Sequence, residues 1–239
     1  MLNDMKCPAF LLKPLRCRPS GVGRRVPLLL LALTVTWPSG LRAQAADGAV
    51  ALLDRAAVAY QQNGGVEASF HIDVLAYGGK LSGNIEGTIL LKGSKFKLTV
   101  PGEMITWFDG RNQWLYLQDV GEVNLSNPSE EELLQMNPVN VFLLYRHGFD
   151  ARRSAEKSWR GQTVTAVVLT PKDPHSDLDN IEIYFEKASL HPLSIRITNK
   201  DRSGSAVTVT SYAAGKTYPE SMFVFPQKEY PMAEVIDLR

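Results

Sequence analysis

Histidine is the side chain best suited to moving protons near neutrality or to ligating a metal, and this chain has four: His71, His147, His175 and His191. They are dispersed, with no metal-ligand spacing such as H-E-x-x-H. Neither a G-x-S-x-G nucleophile elbow nor a phosphate-cradling glycine loop is present. Asp173, Asp177 and Asp179 offer oxygens for calcium, yet the residues between them lack the central glycine and terminal glutamate of a twelve-residue calcium loop. They read as a solvated acidic turn. Both cysteines, Cys7 and Cys17, lie near the N-terminus. The expectation is a protein that is not an enzyme, with no catalytic residue, metal or cofactor.

The N-terminus decides which residues belong to the working molecule. Arg24 and Arg25 precede an apolar run, Val26 to Trp37, followed by Pro38-Ser39-Gly40 and the small-x-small site Ala43-Gln44-Ala45. That order describes a secretory signal peptide, and the run is short of the roughly 20 apolar residues that span a bilayer. A short membrane anchor is the alternative. Cleavage after Ala45 removes residues 1–45 and leaves residues 46–239 as a single domain without a thiol. No cysteine follows the apolar run to carry a lipid, so the product is expected to be soluble. It keeps 19 Lys and Arg against 24 Asp and Glu, which gives no footprint for nucleic acid.

The elements that would position a binding site are mostly strands. Asp47 is placed to cap a helix whose apolar residues, Ala49, Leu52, Leu53, Ala56, Ala57 and Tyr60, recur at helical spacing up to Asn63-Gly64-Gly65. From Val66 the period becomes two: Ala68, Phe70, Ile72 and Val74 alternate with polar residues. After a Gly78-Gly79 turn, Leu81, Gly83, Ile85, Gly87, Ile89 and Leu91 share one face, its two glycines suiting curvature or close approach. Phe96, Leu98 and Val100 follow the Gly93-Ser94 turn, and Asp109-Gly110 marks a hairpin between Met104–Phe108 and Trp114–Leu117. Both faces of that hairpin are apolar, so it is covered on both sides or lines a cavity. Ser126 or Asn127 is expected to cap a short helix with Pro128 in its first turn and Met136 on its apolar side. Asn137-Pro138 breaks it, and a second short helix runs from Val139 to Tyr145. Strands resume at Val164–Thr170, Ile181–Glu186, Leu193–Asn199 and Ala206–Tyr212, with a last apolar piece at Met222–Phe225.

A curved antiparallel sheet has a concave face that side chains, a helix or a ligand must fill. The residues suited to line it are Phe70, Ile72, Ile89, Phe96, Leu98, Trp107, Trp114, Tyr116, Met136, Phe142 and Tyr145. Taken singly, each reads as an ordinary core residue; the two-sided hairpin and the two short lid-like helices are what point to a ligand, and composition alone does not choose between the two.

The ordered set of segments resembles one family. Asn63-Gly64-Gly65-Val66-Glu67-Ala68-Ser69-Phe70 ends the first helix; Gly87-Thr88-Ile89-Leu90-Leu91-Lys92 and Lys95-Phe96-Lys97-Leu98 follow. Phe108-Asp109-Gly110, Trp114-Leu115-Tyr116 and the Asn137-Pro138 break complete the succession, which is similar to the LolA-type periplasmic carriers of outer-membrane lipoproteins. The resemblance implies a mostly β (α+β) fold: an incomplete, strongly curved antiparallel β-barrel of about eleven strands, with three helices covering the concave side. It implies a monomer in the periplasm that takes acylated lipoproteins or lipids from an inner-membrane ABC-type release complex and passes them to an outer-membrane acceptor. The family's carriers latch the lid with an Arg directly after the Lys that ends the second long strand; here Lys92 is followed by Gly93. Either another donor such as Lys92 or Lys95 holds the lid, or the closed state is less favoured. The competing expectation is a periplasmic sensor of the same shape that acts on an envelope signalling protein and has a filled core.

Overall fold

The computed structural model describes residues 40–62, 64–129, 132–133, 145–154 and 156–239. A long helix, α1 (Gly40–Gln62), leads into β1 (Gly65–Ala76), β2 (Lys80–Lys92), β3 (Lys95–Val100), β4 (Met104–Phe108), β5 (Gln113–Leu117) and β6 (Glu122–Ser126). The second half supplies β7 (Phe149–Arg153), β8 (Lys157–Trp159), β9 (Gln162–Pro171), β10 (Leu178–Glu186), β11 (Pro192–Asn199), β12 (Gly204–Lys216) and β13 (Glu234–Asp237). All thirteen strands join one sheet, ordered β13-β6-β5-β4-β3-β2-β1-β12-β11-β10-β9-β7, with β8 paired to β9. Every pairing is antiparallel except β13 with β6, which is parallel. The described residues form thirteen strands, where about eleven were expected.

Among the described residues α1 is the single α-helix, where three were expected. The two short helices expected between Pro128 and Tyr145 lie largely outside the described residues. What is described there moves the cap. The Ser129 N–H donates to Glu132 Oε2 at 2.7 Å, and the Glu132 N–H donates to Ser129 Oγ at 3.3 Å. This reciprocal pair is a capping box, so Ser129, and not Ser126 or Asn127, starts that turn. Helix α1 also begins at Gly40, ahead of Asp47, so Asp47 lies within it and does not cap it.

Neighbours in register share a face of the sheet, which sorts the whole core. One face, called inner here, carries α1. Ala49, Leu52, Leu53 and Ala56 pack there against Phe149, Val167, Leu169, Ile181, Ile183, Phe185, Ile195 and Ile197. Tyr60, at the other end of the helix, packs with Phe70, Ile89 and Phe96, and its hydroxyl donates to the Gly93 carbonyl at 3.0 Å. α1 thus touches both β7 and the β2–β3 turn. Six to seven strand spacings of about 4.8 Å would separate these by about 29–34 Å in a flat sheet, whereas Gly48 to Tyr60 spans only about 18 Å of helix. The sheet must curl around α1. Register shifts in β1 at Gly65/Glu67, Ser69/Phe70 and Val74/Leu75 help it bend.

Gly87 shows the close approach its sequence position suggested. It pairs with Phe70 across β1 and β2, and a Cβ there would lie 2.5 Å from Phe70 Cζ and 2.7 Å from the Thr99 carbonyl oxygen. Gly83 faces open space, with nothing within 4 Å of such an atom.

Candidate functional site

The apolar candidates do not form one constellation; the sheet separates them. Phe70, Ile72, Ile89, Phe96 and Leu98 come together on the inner face, buried with Val66, Ala68, Leu91, Val100, Met104 and Phe108. Phe96 and Phe108 meet ring to ring at 5.4 Å. At the margins of this cluster Val74, Ile85, Leu115, Leu117 and Leu133 are only partly buried.

Trp107, Trp114 and Tyr116 lie on the opposite face. In β4 the inner residues are Met104, Thr106 and Phe108, which leaves Ile105 and Trp107 pointing outward. Trp114 pairs with Trp107, and Tyr116 with Ile105. Their cover is the chain after β12, which crosses the outer face as a strap. Phe225 meets Trp107 edge-on at 5.3 Å, and Tyr230 meets Trp107 at 5.8 Å and Tyr116 at 4.9 Å. The strap therefore covers the outer side of the hairpin, and its outward aromatics belong to a separate core with Val123. Sequence reasoning missed Phe225 and Tyr230 as the partners, because nothing local ties residue 225 to residue 107.

Met136 and Phe142 lie outside the described residues. Tyr145 packs beside the α1 cluster, and its hydroxyl donates to Asp54 Oδ1 at 2.6 Å. Arg146 adds a second donor to the same oxygen at 2.8 Å. The Tyr145 hydrogen bond and the guanidinium hold the Asp54 carboxyl below the usual carboxylate range. Tyr145 thus clips the chain to α1, a positioning role.

Lys92 and Lys95 are both committed to the strap. Lys92 Nζ donates to the Tyr218 carbonyl and to Glu220 Oε1, each at 2.8 Å, and Lys95 Nζ donates to Glu220 Oε2. These two cations draw Glu220 down to a pKa of about 2. At Gly93 itself the backbone carbonyl receives Tyr60. The contact between helix and turn is made by a tyrosine on α1, and the lysines beside it face outward.

Other clusters carry structure. Asp173 Oδ1 accepts the His175 N–H at 2.9 Å and shapes the β9–β10 turn. No group of three His, Cys, Asp or Glu among the described residues is placed to hold a metal, and no helix among them is long and apolar enough to cross a membrane. A cavity of about 360 Å³ at the β5–β6 end is lined largely by polar residues, including Gln113, Ser126, Asn127, Glu132 and Arg239. Gln113 Oε1 is buried beside it without a hydrogen-bond partner.

Solved structures to which the chain is similar include the following three. An uncharacterized conserved protein from Thermus thermophilus superposes with a TM-score of 0.53 at 13% identity, over 77% of this chain and 98% of its own. A LolA superfamily protein from Nitrosomonas europaea gives 0.43 at 11% identity, over 74% and 97%. The MucA/MucB complex of Pseudomonas aeruginosa gives 0.42 at 15% identity, over 76% and 62%. No curated protein matches the chain. The family described as outer membrane lipoprotein carrier protein LolA matches residues 40–209, from the start of α1 through the β1–β12 pairing. The chain belongs to the LolA family of outer-membrane lipoprotein carrier proteins.

Proposed function

We propose that this protein is a periplasmic carrier that shields the acyl chains of lipoproteins or lipids against its inner face and performs no chemistry of its own. The observation that carries the reading is the apolar cluster on the inner face, Phe70, Ile72, Ile89, Phe96 and Leu98, with half-buried Val74, Ile85, Leu115 and Leu117 at its margins. Each methylene taken from water is worth roughly 0.8 kcal/mol, so an acyl chain laid along that margin gains enough to cross an aqueous compartment. A site at the margin also releases its guest readily to an acceptor that covers more of it. In this reading residues 1–45 are a cleaved signal peptide and residues 46–239 the single working domain. An inner-membrane ABC-type complex loads the carrier, and an outer-membrane acceptor unloads it.

A second reading has its own support. Phe70, Ile72, Ile89, Phe96 and Leu98 are each less than 10% exposed, which suits a filled half-barrel that senses a protein partner. Native mass spectrometry of protein purified from the cell envelope without detergent separates the two. A bound lipid or acylated peptide that leaves on mild activation supports the carrier. A bare mass that also ignores added acylated peptide rules it out and favours the sensor.

A further inference from the structure

The sheet ends in an unusual edge. β13 lies parallel to β6, with the Glu234 N–H donating to the Gly121 carbonyl at 3.1 Å and the Leu238 N–H to the Leu125 carbonyl at 2.8 Å. Backbone groups alternate along a strand, so the N–H groups of Val235 and Asp237 point away from the sheet and are free to pair. Natural edges are commonly blunted by lysine, proline or a covering segment. Neither lysine nor proline occurs in Glu234–Asp237, and apolar side chains surround the edge: Met232 is 92% exposed, with Leu238, Val120 and Val235 also open.

The charge around this edge is one-sided. Glu234 sits beside Glu122 in the parallel register, and like charges at neighbouring positions oppose each other. Asp119 is in the adjoining β5–β6 turn, and Glu103 is tied to it through the Gln118 N–H, which donates to the Glu103 carbonyl at 2.9 Å. Among the described residues none of these four carboxylates has an ion-pair partner; Asp237 alone is paired, with Arg239. A cation entering beside Glu234 would relieve the repulsion.

We infer that β13 is a docking edge for an extended, basic segment of a partner protein, which adds to the sheet as a further strand. Main-chain pairing to Val235 and Asp237 supplies the attachment, the exposed Val235 and Met232 receive alternate apolar residues, and the unpaired carboxylates select for Lys or Arg. A second copy of this chain would bring a second set of the same unpaired carboxylates to the edge, where like charges oppose each other. An anionic membrane surface is repelled by the same carboxylates.

The test uses the full chain and two fluorescein-labelled ten-residue peptides, one alternating Arg and Val, the other Glu and Val, titrated by fluorescence anisotropy. The Arg peptide is expected to bind and the Glu peptide to fail. Val235→Pro removes an outward-facing donor and an exposed side chain but no bond within the sheet, so it should weaken binding by about tenfold or more without moving the thermal unfolding midpoint. Glu234→Gln, a milder change, should weaken binding several-fold. Amide exchange at Val235 and Asp237 should slow when the Arg peptide is present. Absence of binding, binding that Val235→Pro and Glu234→Gln leave untouched, or concentration-dependent dimerisation by light scattering would each overturn the proposal.

Discussion

Glu220 is the residue on which the strap turns, and its chemistry sets a pH signature. Two lysines lower its folded pKa from 4.5 to about 2, so its contribution is fully present above about pH 4.5 and is lost as the pH falls toward 2. Glu220→Gln should therefore be less stable than the parent above pH 5, with the difference vanishing between pH 4.5 and 2 in urea titrations. Added salt should shrink it as well, since the groups are solvent-exposed. Trp114 makes a second test at this scale. It lies on the outer face, half-buried beneath the strap, so Trp114→Ala should cost about 2 kcal/mol of stability and leave acyl-peptide affinity unchanged. Leu115→Gln, one residue away but on the inner margin, should do the reverse. Period-two alternation made half of this legible: it states that Trp107 and Trp114 share one face and Met104 and Phe108 the other. It does not state which face a helix covers, because the cover for Trp107 comes from Phe225 and Tyr230 more than a hundred residues on. Phe96 and Leu98 were readable because their opposite neighbours, Lys95, Lys97 and Thr99, are polar.

At the scale of elements, the β1–β2 pair depends on a glycine for its closeness. Gly87 leaves room for the Phe70 ring and the Thr99 carbonyl, and Gly87→Ala forces one or both to move. The expected cost is about 1–3 kcal/mol in equilibrium denaturation, whereas Gly83→Ala, which meets nothing, should be near neutral. Long strands with a wet face were legible in their sequences, as in β3, where buried residues alternate with half-buried ones along its whole length. Among the strands of three to five residues, β4 and β5 were legible through the Asp109-Gly110 turn between them, and β6, β7, β8 and β13 were not. β7 contains Phe149-Asp150-Ala151-Arg152-Arg153, and its pairing with β9, together with α1 behind it, makes it a strand. β13 was hidden for a related reason. Its partner β6 is reached only after the strap has crossed the outer face, and no local pattern records a parallel pairing.

For the whole molecule, the sheet consists of two local meanders, β2 to β6 and β7 to β11, flanking the long β1–β12 pair. That pair runs from Gly65↔Lys216 to Leu75↔Gly204 in the middle of the sheet. Native-state hydrogen exchange should find its amides among the slowest and those of β8 and β13 among the fastest, because central ladders open only with the global transition. Protection of β13 equal to that of β1 would contradict this ranking. The seam also has a consequence for the chain's own history. β1 is made early, and its partner β12 is still unmade when most of the sheet already exists. As the ribosome delivers the polypeptide from one end, β1 waits with one edge unsatisfied while both meanders form. The joining step draws together segments distant in sequence, which is slow. The central pair thus cannot close until β12 has been synthesised, and until then β1 keeps one edge open.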